Sequence, residues 1–282
     1  MSPRLRVEHD SLYRYRRPVL SSFNEARMTP LTTPSQLVLD SRLEVSPGAR
    51  LQTYSDYWGT VVHAFDLHVP HDSLRVLSCA SVETLPPPPA AAEGLSWGEL
   101  VSDKLRDRFA EYLAPSTKVP ADARLAQVAG DLRRSSRSPA EAVEQAVAWV
   151  KAELRYNHGS TSVHTSAVEA WEGGAGVCQD FAHLALALVR SMGIPGRYCS
   201  GYVHPKPEAP IGKPVKGEGH AWIEVWNGQW SAWDPTLGKR AGEHHVLVAR
   251  GRDYSDVAPF KGIFHGGPTE ALHVEVTLSQ LA

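Results

Sequence analysis

The sequence predicts an α+β protein: an N-terminal antiparallel β module, a short linker, and a core in which one buried helix packs on an antiparallel sheet. Three observations predict it. Residues 1 to 85 carry apolar side chains at the period of two that marks half-buried strands. From Cys178 onward, Phe181, Leu184, Ala185, Leu188 and Met192 recur at helical spacing until Gly193 and Pro195 stop the run. The period then returns to two, and a helix followed by an antiparallel hairpin is the pattern of an α+β domain.

In the N-terminal module, Leu5, Val7 and His9 and then Leu12, Tyr13 and Tyr15 alternate before Pro18. Val38, Leu43 and Val45 lead to a Pro47-Gly48 turn, and the runs Tyr54 to Leu67 and Leu74 to Val82 are broken by Gly59 and Pro70. His9, His63, His68 and His71 have no cysteine or carboxylate at ligand spacing and read as scattered strand-face histidines. The run PPPPAAA reads as a stiff linker. It sets the expected division: module 1–85, linker 86–95, core 96–282. Helical segments are expected over 97–113, 121–134 and 139–154, the last with Pro139 just inside its start after Ser138. The polar stretch from Tyr156 to Val177, with a short helix around Ala167 to Trp171, leads into the buried helix and reads as one wall of a cleft. Arg197 to Val203 is a strand, 204–218 a long mobile loop, and Asn227-Gly228 a hairpin turn before Asp234.

Composition narrows the function. The 282 residues carry 29 basic and 31 acidic side chains, interspersed, for a net charge of −2, so no basic stripe invites nucleic acid. Cys79, Cys178 and Cys199 are an odd, scattered set and form no disulfide framework. No apolar run has the length of a membrane span, and the first residues lack the apolar stretch of a signal peptide. The expectation is a cytoplasmic protein in a reducing setting, with no membrane partner. Nothing in the sequence bears on oligomeric state.

Gly173, Gly174 and Gly176 hold the approach to Cys178 out of helical conformation, so the cysteine falls in the first turn. Unpaired N–H groups and the positive end of the helix dipole there favour a thiolate. A lone cysteine is commonly a buried structural residue, but a glycine-rich approach also lets another backbone come close to the sulfur. Cys178, His220 and Asp234 follow in the order nucleophile, base and orienting acid, the constellation of acyl transfer. A zinc site from Cys178, His183 and His220 would need paired ligand spacings that are absent; no metal and no cofactor is expected. Hairpin register tests the constellation. A flush two-residue turn would put Asp234 opposite Ala221 and on the other face from His220. A three-residue loop, Asn227 to Gln229, or a bulge at Gly228 pairs Asp234 with Trp222 and returns it to the face of His220, and this slip is the expectation.

The motifs GVCQDFAHL, RYCSGY, GHAWIEVW and WDPT together resemble the bacterial transglutaminase-like family of papain-type cysteine enzymes. YRYRRPV and DYWGTVVHAF resemble the β module that precedes the core in that family, and GRDYSDVAPFKGIFHGG its C-terminal segment. The resemblance implies a transglutaminase-like, papain-like core with Cys178 as nucleophile, His220 as general base and acid, and Asp234 as orienting acid. The Cys178 backbone N–H would form part of an oxyanion hole. Tyr156 is the side-chain candidate for that hole, against an ordinary packing role. Trp222, Tyr198 and Tyr202 are candidates for substrate contact, against packing of the sheet. The expected activity is hydrolysis of peptide or isopeptide amides in a protein or peptide substrate through a Cys178 thioester. Transfer to an amine, and a non-catalytic binding module with the same fold, are the alternatives. Hydrolysis is preferred because no acidic cluster near the triad would draw a lysine ammonium.

Overall fold

The Arg4–Ala26 strand runs the length of the N-terminal sheet in the computed structural model, which describes residues 3–86 and 94–282. Along its first part Leu5, Val7 and His9 turn inward at alternate positions. Register shifts between Arg14 and Val19, around Pro18, which has no N–H to give the ladder. Before the shift the strand lies between His71–Thr84 and Thr269–Gln280; beyond it, between Val61–Leu67 and Phe260–Gly266. Gln36–Ser46 flanks His71–Thr84, Gln52–Ser55 flanks Val61–Leu67, and Val215–Gly217 flanks Thr269–Gln280.

Two expectations are corrected by this sheet. The core was expected to run to residue 282, but Phe260–Gly266 and Thr269–Gln280 are strands of the N-terminal sheet. They pair with Arg4–Ala26 along a side that a module of 85 residues would leave as an open edge. The stretch 204–218 is not loop throughout, because Val215–Gly217 pairs with Val276–Leu278. Most of the expected linker, 87–93, lies outside the described residues.

In the core, the charged stretch 97–113 is three short helices, Trp97–Leu100, Asp103–Arg108 and Ala110–Leu113. Ala123–Ser135 starts at an Asp122 cap and Pro139–Glu153 at a Ser138 cap, each side chain accepting from backbone N–H groups of the first turn. These two helices and Ala167–Gly173 surround Cys178–Ser191, which is buried from Gln179 to Arg190. A five-stranded antiparallel sheet covers its other side in the order Lys239–Arg240, Trp230–Asp234, Gly219–Trp226, Gly196–Val203, His245–Gly251. The hairpin pairs Trp226 with Trp230 and Ile223 with Trp233. Three residues therefore close it, with Gly228 at φ 86 in the region a glycine enters without strain.

The two sheets share one apolar core. Leu5, Val7, Val82, Val276 and Leu278 from the N-terminal sheet belong to the same buried cluster as Phe181, Leu184, Leu188 and Ile223. The shared cluster predicts that both halves unfold together. Leu278, fully buried, should cost about 2–5 kcal/mol when replaced by Ala. Calorimetry should show one transition in the parent chain and in Leu278→Ala, shifted down as a whole; two separated transitions would contradict the shared core.

Candidate active site

Cys178 opens its helix directly after Val177. The turn is held from inside: Asp180, completely buried, accepts the Val177 N–H at 2.8 Å and the Thr161 hydroxyl at 2.5 Å. Gly176 makes room for this, because a Cβ there would lie 2.6 Å from that of Asp180. Its missing side chain thus serves the helix start, whereas the sequence suggested access to the sulfur. Gln179 Nε2 donates to Ser162 O at 3.3 Å, so the polar stretch before the helix is pinned to its mouth. Burial raises the Asp180 pKa, against the pull of its hydrogen bonds.

The hairpin register sets His220, Trp222 and Asp234 on one sheet face, and His220 Nε2 lies 2.7 Å from Asp234 Oδ2. With Nε2 engaged there, Nδ1 is the nitrogen left for the Cys178 sulfur, which helps to hold the charge on the ring. That sulfur stands 4.0 Å from Gly219 O at the start of the same strand. Cys178, His220 and Asp234, distant in sequence, are thus brought together. Burial alone would lower the His220 pKa; the hydrogen bonds to Asp234 and Cys178 and their charges more than offset it and raise it to about 9.

A residue the sequence reading missed completes the arrangement. His245 Nδ1 accepts the Gly242 N–H at 3.2 Å, so its proton sits on Nε2, which donates to Asp234 Oδ2 at 3.0 Å. Asp234 Oδ1 accepts the N–H groups of Thr236 and Leu237, both at 3.0 Å. Burial acts to raise the Asp234 pKa, but the two imidazoles, the His220 charge and the Leu237 N–H hold the carboxyl well below its usual range. The sequence signal for His245 was the His-His pair, 244 and 245, directly before an apolar run. Among the described residues, His220, Asp234 and His245 are the one group whose donor atoms lie close enough for a metal ion. Their arrangement is that of two N–H donors on one carboxylate oxygen, which leaves the ring nitrogens engaged. The zinc set Cys178, His183 and His220 is not assembled. His183 is buried against the Tyr198 ring at 4.9 Å, and its Nε2 accepts the Tyr254 N–H at 3.2 Å.

A cavity of about 340 Å³ opens beside Cys178 and His220, between the core and the N-terminal sheet. Tyr198 and Tyr202 line it. Trp222 does not: it is buried among Leu31, Cys199, Ala241 and Leu247, because its rank on the strand points it into that cluster. Tyr156 is half-exposed against His158 and Phe181 and is absent from the cavity wall. Its phenol is pushed up to about 12 by partial burial and then by the nearby charge of Cys178, so it remains a hydroxyl. His9, expected as a plain strand-face histidine, is buried in the cavity wall with Nδ1 2.8 Å from the Tyr202 hydroxyl and Nε2 3.1 Å from Ser11 Oγ. Glu224 is buried between Arg197 and Arg250 and so is no free anion beside the site. Larger depressions of about 490 and 540 Å³ elsewhere on the surface are lined by neither cysteine nor histidine.

Comparison with known proteins agrees with this architecture. The transglutaminase-like superfamily model matches residues 126–235, and the model of the bacterial transglutaminase-like N-terminal region matches residues 5–83. An uncharacterized protein of Mycobacterium leprae is 46% identical over 279 residues, covering 99% of each chain. One of Mycobacterium tuberculosis is 32% identical over 294 aligned positions, covering 93% of this chain and 88% of its own. A Cytophaga hutchinsonii structure described as a "putative cysteine protease" superposes with a TM-score of 0.78 at 23% identity, over 99% of this chain and 98% of its own. That likeness carries the fold.

The electrostatics of the site predict a titration. The His220 ring should lose its proton near pH 9, and in Asp234→Asn, where only Cys178 still offsets burial, it should titrate at a clearly lower pH. Ring-nitrogen NMR against pH reads both points; a titration still near 9 in Asp234→Asn would show that the carboxylate does not hold the charge.

Proposed function

The chain belongs to the transglutaminase-like superfamily, in the form that carries the bacterial N-terminal region, and on that premise we propose that it hydrolyses amide bonds of protein or peptide substrates through a thioester on Cys178. The observation that carries the reading is that Cys178 and the Asp234-held His220 meet in the wall of one open cavity. His220, already an imidazolium at neutral pH, keeps on Nδ1 the proton the sulfur gives up, the thiolate attacks the substrate carbonyl, and the imidazolium passes that proton to the leaving amine. A proton held up to about pH 9 suits that second task at neutral pH. The Cys178 N–H, in the first helical turn and without an intrahelical acceptor, donates to the developing oxyanion. Tyr156, a hydroxyl near the sulfur, is the side-chain candidate for a second donor. Water then enters with His220 as base and releases the acid. Asp234 stays ionised and holds the Nε2–H tautomer of His220; His245 acts through Asp234 by fixing the oxygen they share.

Hydrolysis is favoured over transfer to a lysine by the cavity itself. Among the described residues no aspartate or glutamate lines it, so none of them there matches an ammonium group. A free, reactive thiol fits a reducing, cytoplasmic setting; Cys79 and Cys199 are likewise free.

Iodoacetamide labelling and product partition test the reading together. Cys178 should label faster than buried Cys79 and Cys199, and His220→Ala should slow it about 100-fold or more. With an acyl donor that is turned over, acid should dominate over amide at millimolar primary amine, and Cys178→Ala should abolish both. Equal, slow labelling of all three thiols would favour a binding module; predominant amide would favour transfer.

A further inference from the structure

The cavity beside Cys178 has an apolar wall that the proposed chemistry leaves unused. Leu272, Val274, Val276 and Leu278 alternate along one face of the Thr269–Gln280 strand. Leu278 and Val276 are 0% and 2% exposed in the core shared by the two sheets, whereas Val274 and Leu272 are 47% and 51% exposed and line the cavity. The stripe therefore continues past the part the core covers, and its uncovered end lies beside the nucleophile. Across the ladder Val274 pairs with Ser11 and Leu272 with Tyr13, both also in the cavity wall. Phe260 stacks on Tyr13 with ring centroids 5.1 Å apart, and Met28 and Val248 extend the apolar lining.

The charged groups of the cavity wall are largely engaged. Arg27 is ion-paired with Glu25 at 2.8 Å and Asp56 at 3.3 Å, its buried Nη1 being left over, and His220 is held by Asp234 at 2.7 Å. His9 is held near 4 by burial, so at neutral pH the Ser11–His9–Tyr202 chain is uncharged. An apolar side chain entering this space leaves water for apolar contacts; a charged one lying against the same Leu272, Val274, Tyr13 and Phe260 wall would lose hydration without gaining a partner from those four side chains.

We propose that Leu272, Val274, Tyr13 and Phe260 form a subsite that receives an aliphatic or aromatic side chain of the acyl donor and selects it over a charged one. This rests on Cys178 being the nucleophile. The N-terminal sheet is then part of the substrate site, and its C-terminal strand sets specificity through side chains that no core residue covers.

The test uses N-acetyl amino-acid chloromethyl ketones with Leu, Phe, Lys and Asp side chains, which share one reactive group. Second-order rates of Cys178 alkylation are read by mass spectrometry and divided by the iodoacetamide rate of the same variant, which corrects for any change at the sulfur. In the parent chain the Leu and Phe reagents should react roughly 10- to 100-fold faster than the Lys and Asp reagents. In Leu272→Asp and, separately, Val274→Asp, both at half-exposed positions, that preference should fall at least several-fold. Equal normalised rates in the parent, or a preference undiminished in both variants, would overturn the subsite while Cys178 stays fast and His220-dependent toward iodoacetamide. Iodoacetamide labelling no faster at Cys178 than at Cys79 and Cys199 would overturn the subsite together with the nucleophile on which it rests.

Discussion

A buried carboxylate organises the site. Asp234 has no exposed surface, and a carboxylate left without partners there would cost several kcal/mol. It is matched instead by four N–H donors, from Thr236, Leu237, His220 and His245. Together they tie down three pieces of chain: the turn after the hairpin, the strand that bears His220, and the strand that begins at His245. The geometry at the sulfur depends on this node, because His220 can turn Nδ1 toward Cys178 only while Nε2 is held.

Much of this was legible from residue spacing, for physical reasons. The Cys178 helix announces itself because its stripe is long and its ends are marked by glycine and proline. The side-chain alternation of strands, applied to Asn227 to Gln229, was enough to require the one-residue slip that brings Asp234 to His220. His245 was not legible, since its role rests on a backbone N–H from Gly242 that fixes its tautomer and on proximity to a strand paired elsewhere in the sequence. Trp222 was misjudged for a related reason: alternation tells which face a side chain takes, but not that Cys199, Ala241 and Leu247 cover that face. The C-terminal strands were assigned to the core because local alternation says nothing about which distant strand fills an edge, and here Thr269–Gln280 does.

Edge filling also links fold to function. By pairing with Arg4–Ala26, the C-terminal strand ties the two ends of the chain into one sheet, and Val276 and Leu278 anchor that sheet against the helix that starts at Cys178. The cavity is the gap left where this contact ends. His9 and Tyr202 bridge it at 2.8 Å, so its width is set by the same packing that stabilises the fold. A protein built this way positions the proposed nucleophile from one half and meets its substrate with side chains of both.

The central claim is that Cys178 becomes acylated. Acid-quenched intact-mass spectrometry of the full-length chain during turnover of an acyl donor tests it most directly. The account predicts a transient adduct equal in mass to the acyl group, mapped to Cys178, discharged by hydroxylamine and accumulating when the pH is lowered to slow its hydrolysis. Continued product formation by Cys178→Ala, with no adduct on the parent chain, would contradict it.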